Sequence, residues 1–144
     1  MTKTSLSESL KKGEVRRIHP DAAQCRALLA KAEADLKAAE DNLKAGHYNW
    51  ALAIAYNAML TAGLALMAFK GYRASSDSHH LAVVKFCASI LPAETTPLTN
   101  AFNHYRVRRH DVVYGEAGSV APSEARKAVE KARELVSIIQ DKTR

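Results

Sequence analysis

Between Tyr48 and Lys70 the chain reads YNWALAIAYNAMLTAGLALMAFK, where Ala, Leu, Ile and Met recur with almost no charge. A helix that is apolar on every side must be surrounded by other helices, so this stretch constrains the architecture more than any other feature. The run from Ala51 to Phe69 invites comparison with a membrane span, but Tyr56, Asn57 and Thr61 interrupt it. A buried helix, with no membrane contact, is the expectation.

The flanking sequence supplies the helices that would enclose it. From Asp21 to Ala45 the apolar positions Leu28, Ala32, Leu36, Ala39 and Leu43 recur at steps of three and four, and Gly46 closes the pattern. Pro20 and Asp21 mark its start through a fixed φ and a capping carboxylate. Gly71 ends the central helix. After the loop YRASSDS, Asp77 or Ser78 is expected to cap a third helix carrying Leu81, Val84, Cys87, Ala88 and Leu91, which stops at Pro92. Thr96 and Pro97 open a fourth, with Leu98, Phe102 and Tyr105 beginning its buried stripe. A fifth follows Pro122 and bears Ala125, Val129, Ala132, Leu135, Val136 and Ile139. No segment alternates with period two. The predicted fold is all-α, an up-and-down bundle of four main antiparallel helices plus a C-terminal helix. Residues 20–141 are read as one domain and residues 1–19 as a mostly flexible arm.

A net charge of +6 and a pI near 9.4 favour a polyanionic partner such as nucleic acid or phosphate. The two cysteines, Cys25 and Cys87, form no CxxC and no zinc-ligand spacing, which points to buried thiols in a reducing cytoplasm and to no bound metal or cofactor. No Gly-rich phosphate loop, GxSxG, HExxH or Glu-x-x-His pattern is present, so those enzyme classes find no support.

The densest chemistry lies in YRVRRHDVVYG, Tyr105 to Gly115. On a helix, Leu98, Phe102, Tyr105, Val112 and Val113 all fall within about 60° of Arg109, which places that arginine in the middle of the apolar stripe. Arg106 and His110 stand on one flank, while Asp111 is expected on the opposite face. A guanidinium aimed at a core or crevice keeps its charge and needs a carboxylate or a phosphate. Asp35, which interrupts the stripe of the first predicted helix, is the internal candidate for an ion pair with Arg109. In an open cleft the same arginine would bind phosphate oxygens bidentately, with Arg106 and Arg108 adding to the field and His110 exchanging protons with a ribose hydroxyl or a leaving oxygen.

The hairpin AEADLKAAEDNLKAGHYNWALAIAYNAMLTAGLALMAFKGYR, the histidines at the start of the third predicted helix and the arginine-rich end of the fourth resemble, in this order, the HEPN family of nucleotide-binding helical domains. The resemblance spans roughly residues 20 to 139. It implies an α-bundle that dimerises with a cleft where the fourth-helix ends of two copies meet, and a metal-independent endoribonuclease of a toxin–antitoxin or defence system. It also implies, as partners, RNA or a nucleotide, a second copy, and a cognate antitoxin or effector protein. The family motif places a polar residue after its arginine and a histidine after four to six positions. Arg109 and His110 match the first two, HDVV intervenes, and Tyr114 stands where the histidine would be. A phenol is a poor base at neutral pH, although it can donate a hydrogen bond to phosphate. The catalytic candidates are therefore Arg109, His110 and Tyr114, with Arg106 and Arg108 as RNA or phosphate ligands. The alternative is a non-catalytic dimerisation or protein-interaction module. The Arg73 to His79 pair has a similar spacing but falls in the loop, and His79 and His80 are expected to cap or pack their helix.

Overall fold

The computed structural model describes residues 3–75, 79–114 and 120–144. At its centre is α3 (Tyr48–Lys70), whose middle is almost wholly buried, with Leu52, Met59 and Leu66 at 0% exposure. By length and composition this helix could cross a membrane, yet most of it is enclosed by the rest of the bundle. Gly71 ends it at φ 89°, a left-handed conformation open to glycine, and its N–H returns to the carbonyls of Met67 and Ala68. A side chain there would also meet the backbone oxygen of Ile18 at 2.9 Å, so Gly71 is needed for space as well as for its turn.

Against α3 packs α2 (Ala22–Lys44), started by Asp21, whose carboxylate accepts the N–H of Gln24 at 2.9 Å. Ala32, Leu36 and Ala39 form its buried stripe. The opposite side of α3 is covered by α4 (His79–Ile90) and α5 (Thr96–Tyr114). Here Gly63 permits a close approach, because a Cβ would stand 2.5 Å from Val83 Cγ1. The last helix, α6 (Pro122–Lys142), lies across α3 and α2 and buries all six apolar residues of its predicted stripe. Each fully buried Val, Leu or Ile contributes roughly 1.5–3 kcal/mol, so apolar area is the main anchor of α6. Arg133 with Glu40 and Gln140 with Glu33 join its outer edge to α2. This is the expected all-α bundle, built on alanine-rich helix contacts.

Three local readings need revision. The stretch expected to be a loose arm carries α1 (Lys3–Lys11) and strand β1 (Val15–Arg17). β1 pairs antiparallel with β2 (Tyr72–Ala74), Val15 opposite Ala74 and Arg17 opposite Tyr72. Val15 is 1% exposed, α1 rests on α4, and Glu14 meets Lys85 at 3.6 Å, so burial and pairing hold these residues. Two strands of three residues are too short to show a period in sequence. Thr96 does not cap α5: it has helical angles, follows a 3-10 turn (Ala93–Thr95), and its hydroxyl donates back to the Ala93 carbonyl. The caps expected from Asp77 or Ser78 lie outside the described residues.

Both cysteines are buried and free. Burial pushes the Cys87 thiol up to about 12, which keeps it protonated and unreactive.

Candidate functional site

The first half of α5 behaves as its stripe predicts, with Leu98, Phe102 and Tyr105 buried. In its second half the same face leaves the core, and Val113 is 40% exposed. Arg109, on that face, is only half-buried. α3 begins at Tyr48, and Asn49, Trp50 and Ala53 of its first turns line a crevice with Val112 and Val113 at the end of α5.

Between α4 and α5 a groove of about 420 Å³ opens, lined by His80, Arg106, Val107, Arg109, His110 and Asp111. Asp111, expected on the far face, thus adds one carboxylate to the rim. Arg106 donates its Nε–H to Asn103 Oδ1 at 3.1 Å. Among the described residues neither Arg106 nor Arg109 has a carboxylate within ion-pairing distance. His110 is exposed on the same wall. Two guanidinium groups therefore face a water-accessible crevice without an ion-pair partner, an arrangement that suits a phosphate.

The inner wall is built from two residues on other helices. Tyr56, 1% exposed on α3, stacks obliquely on Phe102 and His80, with ring centroids 5.8 and 5.7 Å away. Its hydroxyl lies 2.9 Å from His80 Nδ1. Burial pushes Tyr56 up to about 12, only partly opposed by the charges of Arg106 and Arg109, so the phenol stays protonated. Burial also lowers the basicity of His80, and the nearby His79, Arg109 and Arg106 lower it further. The neutral ring has two tautomers here: with the phenol donating to Nδ1 the ring proton sits on Nε2, and with Nδ1–H donating to the phenol oxygen Nε2 is an acceptor. Sequence alone gives His80 and Tyr56 no site role. The available signals are a paired histidine at a helix start and a tyrosine inside an apolar run, and neither shows that α3, α4 and α5 converge there.

The remaining candidates are placed differently. Arg108 faces α6, where its Nε and Nη2 reach Glu124 Oε2 and Oε1 at 2.7 and 3.2 Å. This two-pronged pair holds the Glu124 carboxyl below its ordinary range and occupies the guanidinium that was expected to contact RNA. Asp35 does not meet Arg109. It lies on α2, pairs with Lys31 at 3.6 Å, and accepts the Asn57 amide at 3.0 Å. Asn57 occupies the facing turn of α3, so this carboxylate is already satisfied within the α2–α3 seam. Tyr114 is the last residue of α5, and its side chain lies outside the described residues. Among the described residues no three His, Cys, Asp or Glu side chains gather as a metal site.

An all-α bundle with an arginine- and histidine-lined groove at one helix end defines the class of molecule. The HEPN-domain model matches residues 25–142, and the chain belongs to that family. A solved structure, TT1696 from Thermus thermophilus, is similar in fold: its TM-score is 0.66 at 22% identity, over 83% of this chain and 98% of that one. Among curated proteins, none matches.

Proposed function

We propose that this chain is a cytoplasmic HEPN-type protein that binds RNA or a nucleotide through phosphate, with Arg106 and Arg109 as its ligands. The observation that carries this reading is the pair of guanidinium groups in an open groove, free of any carboxylate partner among the described residues. A buried charge would need a protein partner, whereas a groove-facing one is available to an anion. The overall positive charge would draw a polyanion toward it.

Cleavage of RNA would need a group that takes the proton of a ribose 2′-hydroxyl as its oxygen bonds to phosphorus, and one that protonates the departing 5′-oxygen. His80 and His110 line the same groove and are the candidates on opposite walls. A neutral His80 suits the first role in the tautomer whose Nδ1–H donates to the Tyr56 oxygen, since Nε2 is then left to accept the proton, and Tyr114 is a further candidate donor. The arginines would stabilise charge that builds on the phosphorane. A second copy would be expected to pack beside the groove, on the flank where Leu81 and Val107 are 37% and 48% exposed. A cognate antitoxin or effector is a further partner that the family membership suggests.

The absence of the family histidine at Tyr114 favours a second reading, a module that binds without cutting. Labelled RNA incubated with metal-free protein, beside Arg109→Ala, separates the two. Binding and cleavage that are both lost in the variant support a ribonuclease. Binding alone supports the non-catalytic module, and no binding by the wild type rejects the phosphate reading.

A further inference from the structure

Next to the arginine groove stands an exposed aromatic residue that the phosphate reading leaves unused. Trp50, the only tryptophan in the chain, is 63% exposed, the most open of the large apolar side chains. It lies in the first turn of α3 and shares a crevice of about 240 Å³ with Asn49, Ala53, Val112 and Val113. That volume is below the roughly 300 Å³ at which small-molecule sites usually begin. It suits one planar ring. Asn49 is held in place, because its Oδ1 accepts the Val120 N–H at 2.9 Å.

Both crevices are lined in part by the C-terminal half of α5. Val112 and Val113 follow Arg109 by three and four residues, one helical turn or about 5–6 Å along the axis. The apolar crevice thus begins one turn beyond Arg109 and about two turns beyond Arg106. An exposed indole beside unpaired arginines combines the two elements that bind single-stranded nucleic acid, a stacking face for a base and cations for the backbone.

We propose that Trp50 is the base-stacking residue of a single-stranded RNA site, one unpaired base lying on its indole while the adjacent phosphate is held by Arg106 and Arg109. This rests on the phosphate reading above and extends it from an anion to an unpaired strand. Trp50 here is a binding residue and takes no part in proton transfer.

Because Trp50 is the sole tryptophan, its fluorescence reports on this position alone. The full chain in metal-free buffer is titrated with a short single-stranded oligoribonucleotide, an abasic strand of equal length, a blunt RNA duplex and a mononucleotide, while anisotropy of a labelled strand follows binding. Quenching by the base-bearing single strand only is expected. Trp50→Ala should weaken that strand roughly tenfold or more, and Trp50→Phe should restore most of the loss. Equal quenching by the abasic strand, or equal affinity for duplex, mononucleotide and single strand, overturns the proposal. So does unchanged affinity in Trp50→Ala while Arg109→Ala loses binding, an outcome that leaves the phosphate reading standing. If the wild type binds no strand at low salt, both fall. Light scattering adds one arm: a halved mass in Trp50→Ala would show that a second copy covers the indole, contrary to the proposal.

Discussion

Arg108 and Arg109 are neighbours in sequence and have opposite fates. Their side chains leave α5 about 100° apart, enough to send one into the α5–α6 seam and the other into the α4–α5 groove. In the seam, Glu124 takes Arg108 in a two-pronged pair, and the guanidinium becomes part of the fold. In the groove no described carboxylate meets Arg109, and the wall opposite is a histidine held by a buried tyrosine. The difference teaches that an arginine's function is decided by what faces it. A run such as RVRR shows charge but does not show which charges are already neutralised.

The largest expected effect would break this comparison at the groove. Arg106→Ala combined with Arg109→Ala should reduce RNA or nucleotide affinity by at least about 100-fold, since each phosphate-held guanidinium is worth roughly 1.5–3 kcal/mol. The urea midpoint should change little, because neither side chain has an ion pair to lose among the described residues. Equal affinity in the double variant would remove phosphate binding from the groove.

The seam should respond in the opposite manner. Glu124→Gln or Arg108→Ala is expected to cost about 1–2 kcal/mol of stability, measured by urea unfolding, and to leave affinity within about twofold. A large loss of binding with Arg108→Ala would show that the seam arginine also contacts the ligand.

A third effect concerns pH. The folded His80 ring takes up a proton less readily than the unfolded one, whose pKa lies near 6.5. As pH falls below about 6.5 the unfolded chain binds that proton first, so stability should decline with acidification and be fully present above that range. His80→Gln should flatten this decline between about pH 7.5 and 5.5. An unchanged slope would assign it to another group.

Salt gives the smallest and most diagnostic signal. For a single strand, log affinity should fall with log salt at a slope of roughly −0.7 for each phosphate held, and Arg109→Ala should reduce the slope by about that amount. An unchanged slope would mean that Arg109 is not at a phosphate.

Much of the bundle was legible in sequence because α2, α3 and α6 bury wide, regular stripes and carry their own punctuation, Asp21 at one start and Gly71 at one end. The β1–β2 ribbon was not, since three-residue strands leave no period and are held by pairing across distant sequence. The arginine-rich end of α5 was legible as a cluster of charge, and helix geometry put Arg109 on the face that continues the stripe of Leu98, Phe102 and Tyr105. Its supposed partner was wrong because the partner of Asp35 depends on the register of α2 against α3, where Asn57 already serves it. The pairing of His80 with Tyr56 was not legible for the same reason: 24 residues separate them, and only packing makes them one unit.

The most direct test compares wild type, Arg108→Ala and Arg109→Ala for affinity to one labelled single-stranded RNA, in metal-free buffer at a fixed low salt concentration. Wild-type affinity in Arg108→Ala with a loss of about tenfold or more in Arg109→Ala is the predicted result. Equal losses in both, or none in either, would contradict the division of α5 into a structural seam and a phosphate-binding groove.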